Sequence, residues 1–251
     1  MIRLERGEAP DELTEDFVNQ QTALYKREVA AGKSISVWNH KWLKDALLAT
    51  SHWKCAYCEV SLKKESSYME VEHFEDKAHN KDKVLKWNNL LPSCKHCNSH
   101  KNDHNVIAEP IVNPYTDDPH AHLYFKNYMM RGRDEKGKTT IDILGFKDYE
   151  RTINSWFEIG RSIEMRIDSV LERYKNFCES QTTRRRNALF TDLKNLLFEC
   201  QPNKEYSAVC STILIENDDL REVRDNMINT HLWADDIEIL WQECNRIALL
   251  K

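Results

Sequence analysis

The sequence predicts an α+β chain that is mostly helical: a small cysteine-framed domain behind N-terminal helices, followed by an all-α C-terminal region. Three observations carry this. Two C-x-x-C pairs, Cys55/Cys58 and Cys94/Cys97, bracket a stretch with weak apolar periodicity. Apolar side chains on either side of that stretch recur at helical spacing. Glycine and proline are scarce, six of each in 251 residues, while Leu, Ile, Lys, Glu and Arg are abundant, a composition that leans toward helix.

The first helix is expected from about Glu12 to Ala31, carrying Phe17, Leu24 and Val29, with Gly32 as its stop signal. A second is expected from about His40 to Thr50, with Trp42, Leu43, Ala46 and Leu47 on one face. Trp38 and Trp53 are expected to bury on the core that follows. After the irregular segment IVNPYTDDPHAHL, Leu123–Met130 and Thr139–Leu144 read as two strands joined by a polar turn around Gly132 and Gly137. From Phe146 onward the pattern is helical. Ile153, Trp156, Ile159, Ile163, Ile167, Leu171 and Tyr174 keep three-four spacing, Leu189–Leu197 suggests another helix, and Leu232–Ile247 a last one. Asn203 and the run Asn217–Asp219 mark breaks between helices.

The formal net charge is -5, from 36 Lys and Arg against 41 Asp and Glu. A uniformly basic nucleic-acid coat is excluded, so a nucleic-acid site must be a local patch or be completed by a partner. No apolar run approaches membrane-spanning length, and MIRLERGEAPDELTEDF lacks a signal-peptide core. The chain therefore reads as cytoplasmic, with thiols rather than disulfides. Four paired thiolates supply the closed tetrahedral shell of a structural Zn2+, and two pairs favour zinc over a redox couple. Such a metal would hold a region with too few aliphatic residues to fold alone. Cys178, Cys200, Cys210 and Cys244 read as buried apolar thiols.

Between the pairs lie Val71-Glu72-His73-Phe74 and Trp87-Asn88-Asn89-Leu90-Leu91-Pro92-Ser93. Asn98-Ser99-His100-Lys101-Asn102-Asp103 follows Cys97. In order and spacing these residues resemble the ββα-metal motif of HNH endonucleases over about 51–105. Phosphodiester hydrolysis needs a base for water and a cation on the phosphate. His73 is the candidate base. Glu72 is a hard oxygen ligand suited to Mg2+ or Mn2+, Asn98 a second, and Lys101, one turn from Asn98, a candidate contact to a substrate phosphate. The resemblance implies that Asn89 is the central Asn that orients the base. It also implies Mg2+ rather than zinc at this second site, because the third letter of the motif is Asn98 and not His. Asn102 and Asp103 rank below these as further ligands. His79, His96, His100 and His104 read as surface or phosphate-side residues, and Lys77–Lys86 as a charged loop, with substrate contact as the alternative.

C-A-Y-C-E, V-E-H-F, W-N-N-L-L-P-S-C-K-H-C-N, V-N-P-Y-T-D-D-P and the helical tail resemble, more narrowly, the HNH nuclease subunit of Septu-type and retron-associated bacterial anti-phage systems. That resemblance implies a DNA-cleaving effector controlled by a separate ATPase of the ABC/SMC-like class. The expected division is an HNH domain over 1–145, with its core at 51–110, and a helical partner-docking region over 146–251. An RNA-cleaving effector, a non-catalytic zinc-knuckle module that binds nucleic acid, and a purely structural zinc protein remain alternatives. Gly132 to Thr139 matches the letters G-x-x-x-x-G-K-T, but reading Thr140–Leu144 as a strand denies the helix that a phosphate loop needs. Arg184-Arg185-Arg186 reads as a solvated helix face, with a phosphate-backbone contact as the alternative.

Overall fold

The computed structural model describes residues 1–62 and 69–251, which form two compact units. The first comprises Met1, Arg3–His122 and Gly132–Phe146; the second comprises Ile2, Leu123–Arg131 and Lys147–Lys251.

In the first unit, α1 (Glu15–Ala30) starts where Thr14 Oγ1 accepts a hydrogen bond from Phe17 N, with Glu15 and Asp16 at the positive end of the helix dipole. Gly32, at φ +74°, terminates it. α2 (Lys41–Thr50) buries Leu43, Leu47 and Leu48. These helices share a core with Val71, Val84, Leu85 and Leu90, against which Trp38 and Trp42 are partly buried. Trp53, expected to bury, is 39% exposed; it sits at φ +62° in the turn after α2, which points it outward.

β1 (Met69–His73) and β2 (Leu90–Cys94) pair antiparallel, with Glu72 opposite Leu91 and His73 opposite Leu90. β2 runs directly into α3 (Lys95–Lys101). Together they make a strand–strand–helix unit with the loop 74–89 between the strands. A short α4 (Pro119–His122) follows. The chain then forms a hairpin of β3 (Leu123–Lys126) and β4 (Met129–Gly132), turning through Asn127 and Tyr128, both at positive φ, as two-residue hairpin turns require.

The expected strand over Thr139–Leu144 is instead part of α5 (Glu135–Ile143). Asp134 caps it by accepting from Gly137 N at 2.8 Å, and Gly137, Thr140, Ile141 and Leu144 bury at helical spacing. Five alternating residues fit either period, and the cap decides. A strand and a helix therefore do flank the G-x-x-x-x-G-K-T letters, yet no phosphate cradle results. The Gly137 N–H is spent on Asp134, a Cβ there would lie 2.0 Å from His122 O, and Lys138 pairs with Glu135.

The second unit holds α6 (Asn154–Glu179), α7 (Thr183–Glu199), α8 (Ser207–Glu216), α9 (Asp218–Asn229) and α10 (Asp235–Ile247). Ile163, Ile167, Val170, Leu193, Leu197, Leu214, Met227 and Trp241 make its core. Truncating a fully buried member such as Leu193 to Ala would cost about 2–5 kcal/mol. α8 is buried almost all round, which is why it carries no amphipathic signal. Cys200, Cys210 and Cys244 are buried as expected, whereas Cys178 is exposed near the end of α6. Arg185 donates to Asn176 O and Arg186 lies over the Phe190 ring. No helix among the described residues is long and apolar enough to cross a membrane.

Candidate active site

The four cysteines of the two C-x-x-C pairs converge: Cys55, Cys58, Cys94 and Cys97 bring their Sγ atoms within 4.8 Å of one another. The first knuckle is pinned by Cys55 N to Val60 O and by Ala56 N to Pro92 O of β2; the second is the first turn of α3, where Cys94 Sγ accepts from Cys97 N. Neighbouring sulfurs and burial push the Cys58 and Cys97 thiols well above the ordinary range. Burial opposes ionisation of Cys55 too, but hydrogen bonds from the other three sulfurs bring it well below. Four clustered sulfurs that cannot all ionise alone are suited to a tetrahedral soft cation, and Zn2+ fits this donor set. Beneath the knuckle Glu59 is buried between Lys54 Nζ at 2.8 Å and the Met1 amine at 2.7 Å.

Side chains alternate along β1, so Glu70 and Glu72 share one face and Val71 and His73 the other. Asn98 and Lys101, three residues apart, share a face of α3. The two faces meet as a seam of two rungs. Asn98 Nδ2 donates to Glu70 Oε2, and Lys101 Nζ lies 2.6 Å from Glu72 Oε1. Lys101 Nζ also donates to His73 O at 2.8 Å. Lys101 is 1% exposed, so the contact expected with a substrate phosphate is not what the fold gives it; its charge is committed inside the protein to Glu72. Burial raises the Glu72 carboxyl to about 7, against the lowering effect of Lys101. Glu72 and the Asn98 amide oxygen are hard donors, and this pair fits Mg2+ or Mn2+.

His73 points away from the seam. Its Nε2 lies 3.0 Å from Val84 O, and its ring meets the edge of Trp38 at 4.5 Å between centroids. A carbonyl can only accept, so Nε2 carries the proton and Nδ1 keeps the lone pair. Burial lowers its pKa to about 3, only partly offset by the Val84 carbonyl. The Asn89 amide hydrogen-bonds the loop backbone and not the imidazole. Its Oδ1 accepts from Glu75 N, and its Nδ2 donates to Glu75 O and Lys83 O. It closes the loop that delivers Val84 O, and so would orient His73 at one remove. Asn102 and Asp103 bond to each other, exposed, beyond the end of α3. His79 pairs with Asp76, and His96, expected at the surface, is buried.

Two features, Glu70 and the Val84 carbonyl, were not singled out from sequence. Glu70 is legible in hindsight from strand alternation. The Val84 carbonyl leaves no sequence signal. Lys77 is exposed, with Nζ 5.6 Å from the centre of the Trp38 ring, and lies close enough to lower both the His73 and Glu72 pKa values. A cavity of about 450 Å³ opens here, lined by Tyr25, Asp76, Lys77, Lys81, Asn102 and Asp103.

The family model "HNH endonuclease" matches residues 55–104, the span that contains both knuckles, His73, Asn89 and the seam. Over its whole length the chain is 36% identical to the Septu protein PtuB of Bacillus thuringiensis, of which it covers 96%. The chain belongs to the Septu PtuB family of HNH endonucleases. It is also 26% identical to the Septu protein PtuB of Bacillus mycoides (strain KBAB4), over 91% of this chain and 94% of that one. As an HNH nuclease it is a phosphodiester hydrolase.

Proposed function

We propose that this PtuB-family nuclease hydrolyses DNA in the cytoplasm, as the effector of a bacterial anti-phage complex whose other subunit is an ATPase of the ABC/SMC-like class. The observation that carries the catalytic reading is His73: neutral, with Nε2 committed to Val84 O and Nδ1 left to accept a proton. In this reading Nδ1 takes the proton of the attacking water. Asn89 holds the loop that fixes the ring. Glu72 and Asn98 hold Mg2+ or Mn2+, which when bound supplies Lewis-acid stabilisation of charge on the scissile phosphate and the leaving oxygen. Zn2+ on the four cysteines holds the frame. Lys77, exposed beside the Trp38–His73 pair, takes over the phosphate contact that buried Lys101 does not offer. With a formal net charge of -5, the chain depends on such local cations or on its partner to engage a polyanion. No phosphate cradle is built among the described residues at the G-x-x-x-x-G-K-T letters, in keeping with nucleotide hydrolysis on a separate chain.

The test is digestion of plasmid DNA and of total RNA by zinc-loaded protein with Mg2+ or Mn2+, with and without an ATPase partner of the proposed class. Metal-dependent nicking or cleavage of the plasmid, with RNA intact, supports the proposal. Cleavage of RNA alone would replace the substrate. Binding of either without cleavage under every condition would favour a zinc-knuckle binding module.

A further inference from the structure

The seam between β1 and α3 contains two side chains that the catalytic reading does not use as ligands, Glu70 and the ammonium of Lys101. We propose that both are positioning residues for the divalent-metal site, an inference that rests on the reading of Glu72 and Asn98 as its ligands. An asparagine amide has a donor end and an acceptor end, and only the oxygen can bind a cation. Glu70 Oε2 takes the Nδ2 end of Asn98 and so commits the oxygen to the ligand role. Lys101 acts on the other ligand. Its Nζ holds Glu72 Oε1 at 2.6 Å and the backbone oxygen of His73 at 2.8 Å. It thereby ties a metal-ligand carboxylate to the backbone of the residue that bears the base. It also neutralises one of two carboxylates on the same strand face, which would otherwise repel each other. Outer-shell partners of this kind fix ligand orientation, and their loss typically weakens metal binding about 10–100-fold.

Mn2+ binding to the zinc-loaded protein, measured by calorimetry without substrate, tests the proposal. Glu70→Ala is expected to lose about 10–100-fold in Mn2+ affinity with zinc stoichiometry unchanged. Glu70→Gln keeps an acceptor oxygen for Asn98 Nδ2 and is expected to recover most of that loss, which a purely electrostatic role would not allow. Lys101→Met, which keeps the buried stem, is expected to weaken Mn2+ binding. It should leave the salt dependence of DNA binding without divalent metal unchanged, whereas a phosphate contact would drop the slope by about one. Wild-type Mn2+ affinity in both Glu70→Ala and Lys101→Met would overturn the proposal while leaving the nuclease reading standing. A reduced salt slope in Lys101→Met would return that residue to the substrate. Failure of the wild type to bind Mn2+ at all would overturn the metal-site reading and this inference with it.

Discussion

His73 Nε2 lies 3.0 Å from the carbonyl oxygen of Val84, a residue at the far end of the loop between the two strands of the nuclease motif. That one hydrogen bond sets the tautomer of the candidate base. It also makes the geometry of a polar loop part of the chemistry, because the ring is only as well aimed as the loop is fixed.

The imidazole is therefore expected to stay neutral across the working pH range. Its folded pKa of about 3, lowered chiefly by burial, lies below the ordinary 6.5. The unfolded chain binds the proton first, so the contribution of His73 to stability is full above about pH 6.5 and declines as the pH falls toward the folded value. Proton chemical shifts of the His73 ring, followed by NMR, are expected to stay flat between pH 5 and 8. A midpoint near 6.5 would show that the ring is solvated.

Asn89→Ala is expected to loosen the loop without removing the base. Three hydrogen bonds to Glu75 and Lys83 are lost, and a buried backbone group left unsatisfied costs about 1–3 kcal/mol. Urea unfolding should report a loss in that range. Cleavage assays should show a fall in kcat larger than the rise in KM.

The cysteine frame is expected to hold one Zn2+ per chain through treatment with weak chelators. Cys55→Ser should abolish stoichiometric zinc and unfold the strand–strand–helix unit, since structural zinc supplies on the order of 10 kcal/mol of folding free energy. Elemental analysis paired with circular dichroism checks both. A folded protein without zinc would contradict the assignment.

Burial resists ionisation of Glu59, but Lys54 and the Met1 amine more than offset it and hold this carboxyl well below the usual carboxylate range. Because the folded pKa is depressed, the stability it contributes is present above the unfolded value of about 4.3 and is lost as the pH falls toward the folded one. Glu59→Gln strands two buried cations and is expected to cost about 3–5 kcal/mol at pH 7. In denaturant titrations the gap to wild type should narrow below about pH 4.

Much of the nuclease core was legible in the sequence because its signals are covalent or short-ranged. C-x-x-C spacing announces the knuckles, and the letters around His73, Asn89 and Asn98 lie at the elements that carry them. The helices α1, α2, α6 and α10 declared themselves by apolar spacing. What sequence could not supply was pairing in space. Lys101 looked like a phosphate contact because it sits one turn from Asn98, but β1 brings Glu72 against the same face of α3 and claims the charge. Asn89 was expected to orient the base, but sequence does not show that its amide bonds the backbone of Glu75 and Lys83, so that such a role runs through the loop. Thr139–Leu144 looked like a strand because five alternating residues carry too little period to outvote the Asp134 cap. α8, buried all round, has no polar face to mark its turn.

The proposed role of His73 is that of the base in a metal-dependent phosphodiester hydrolysis. Single-turnover cleavage of plasmid DNA with saturating Mg2+ or Mn2+, comparing His73→Ala with wild type at matched zinc content and plasmid affinity, tests it most directly. If His73 is the base, the variant cleaves more slowly by about 10²–10⁴-fold, with DNA binding retained. Cleavage by His73→Ala at the wild-type rate would contradict it.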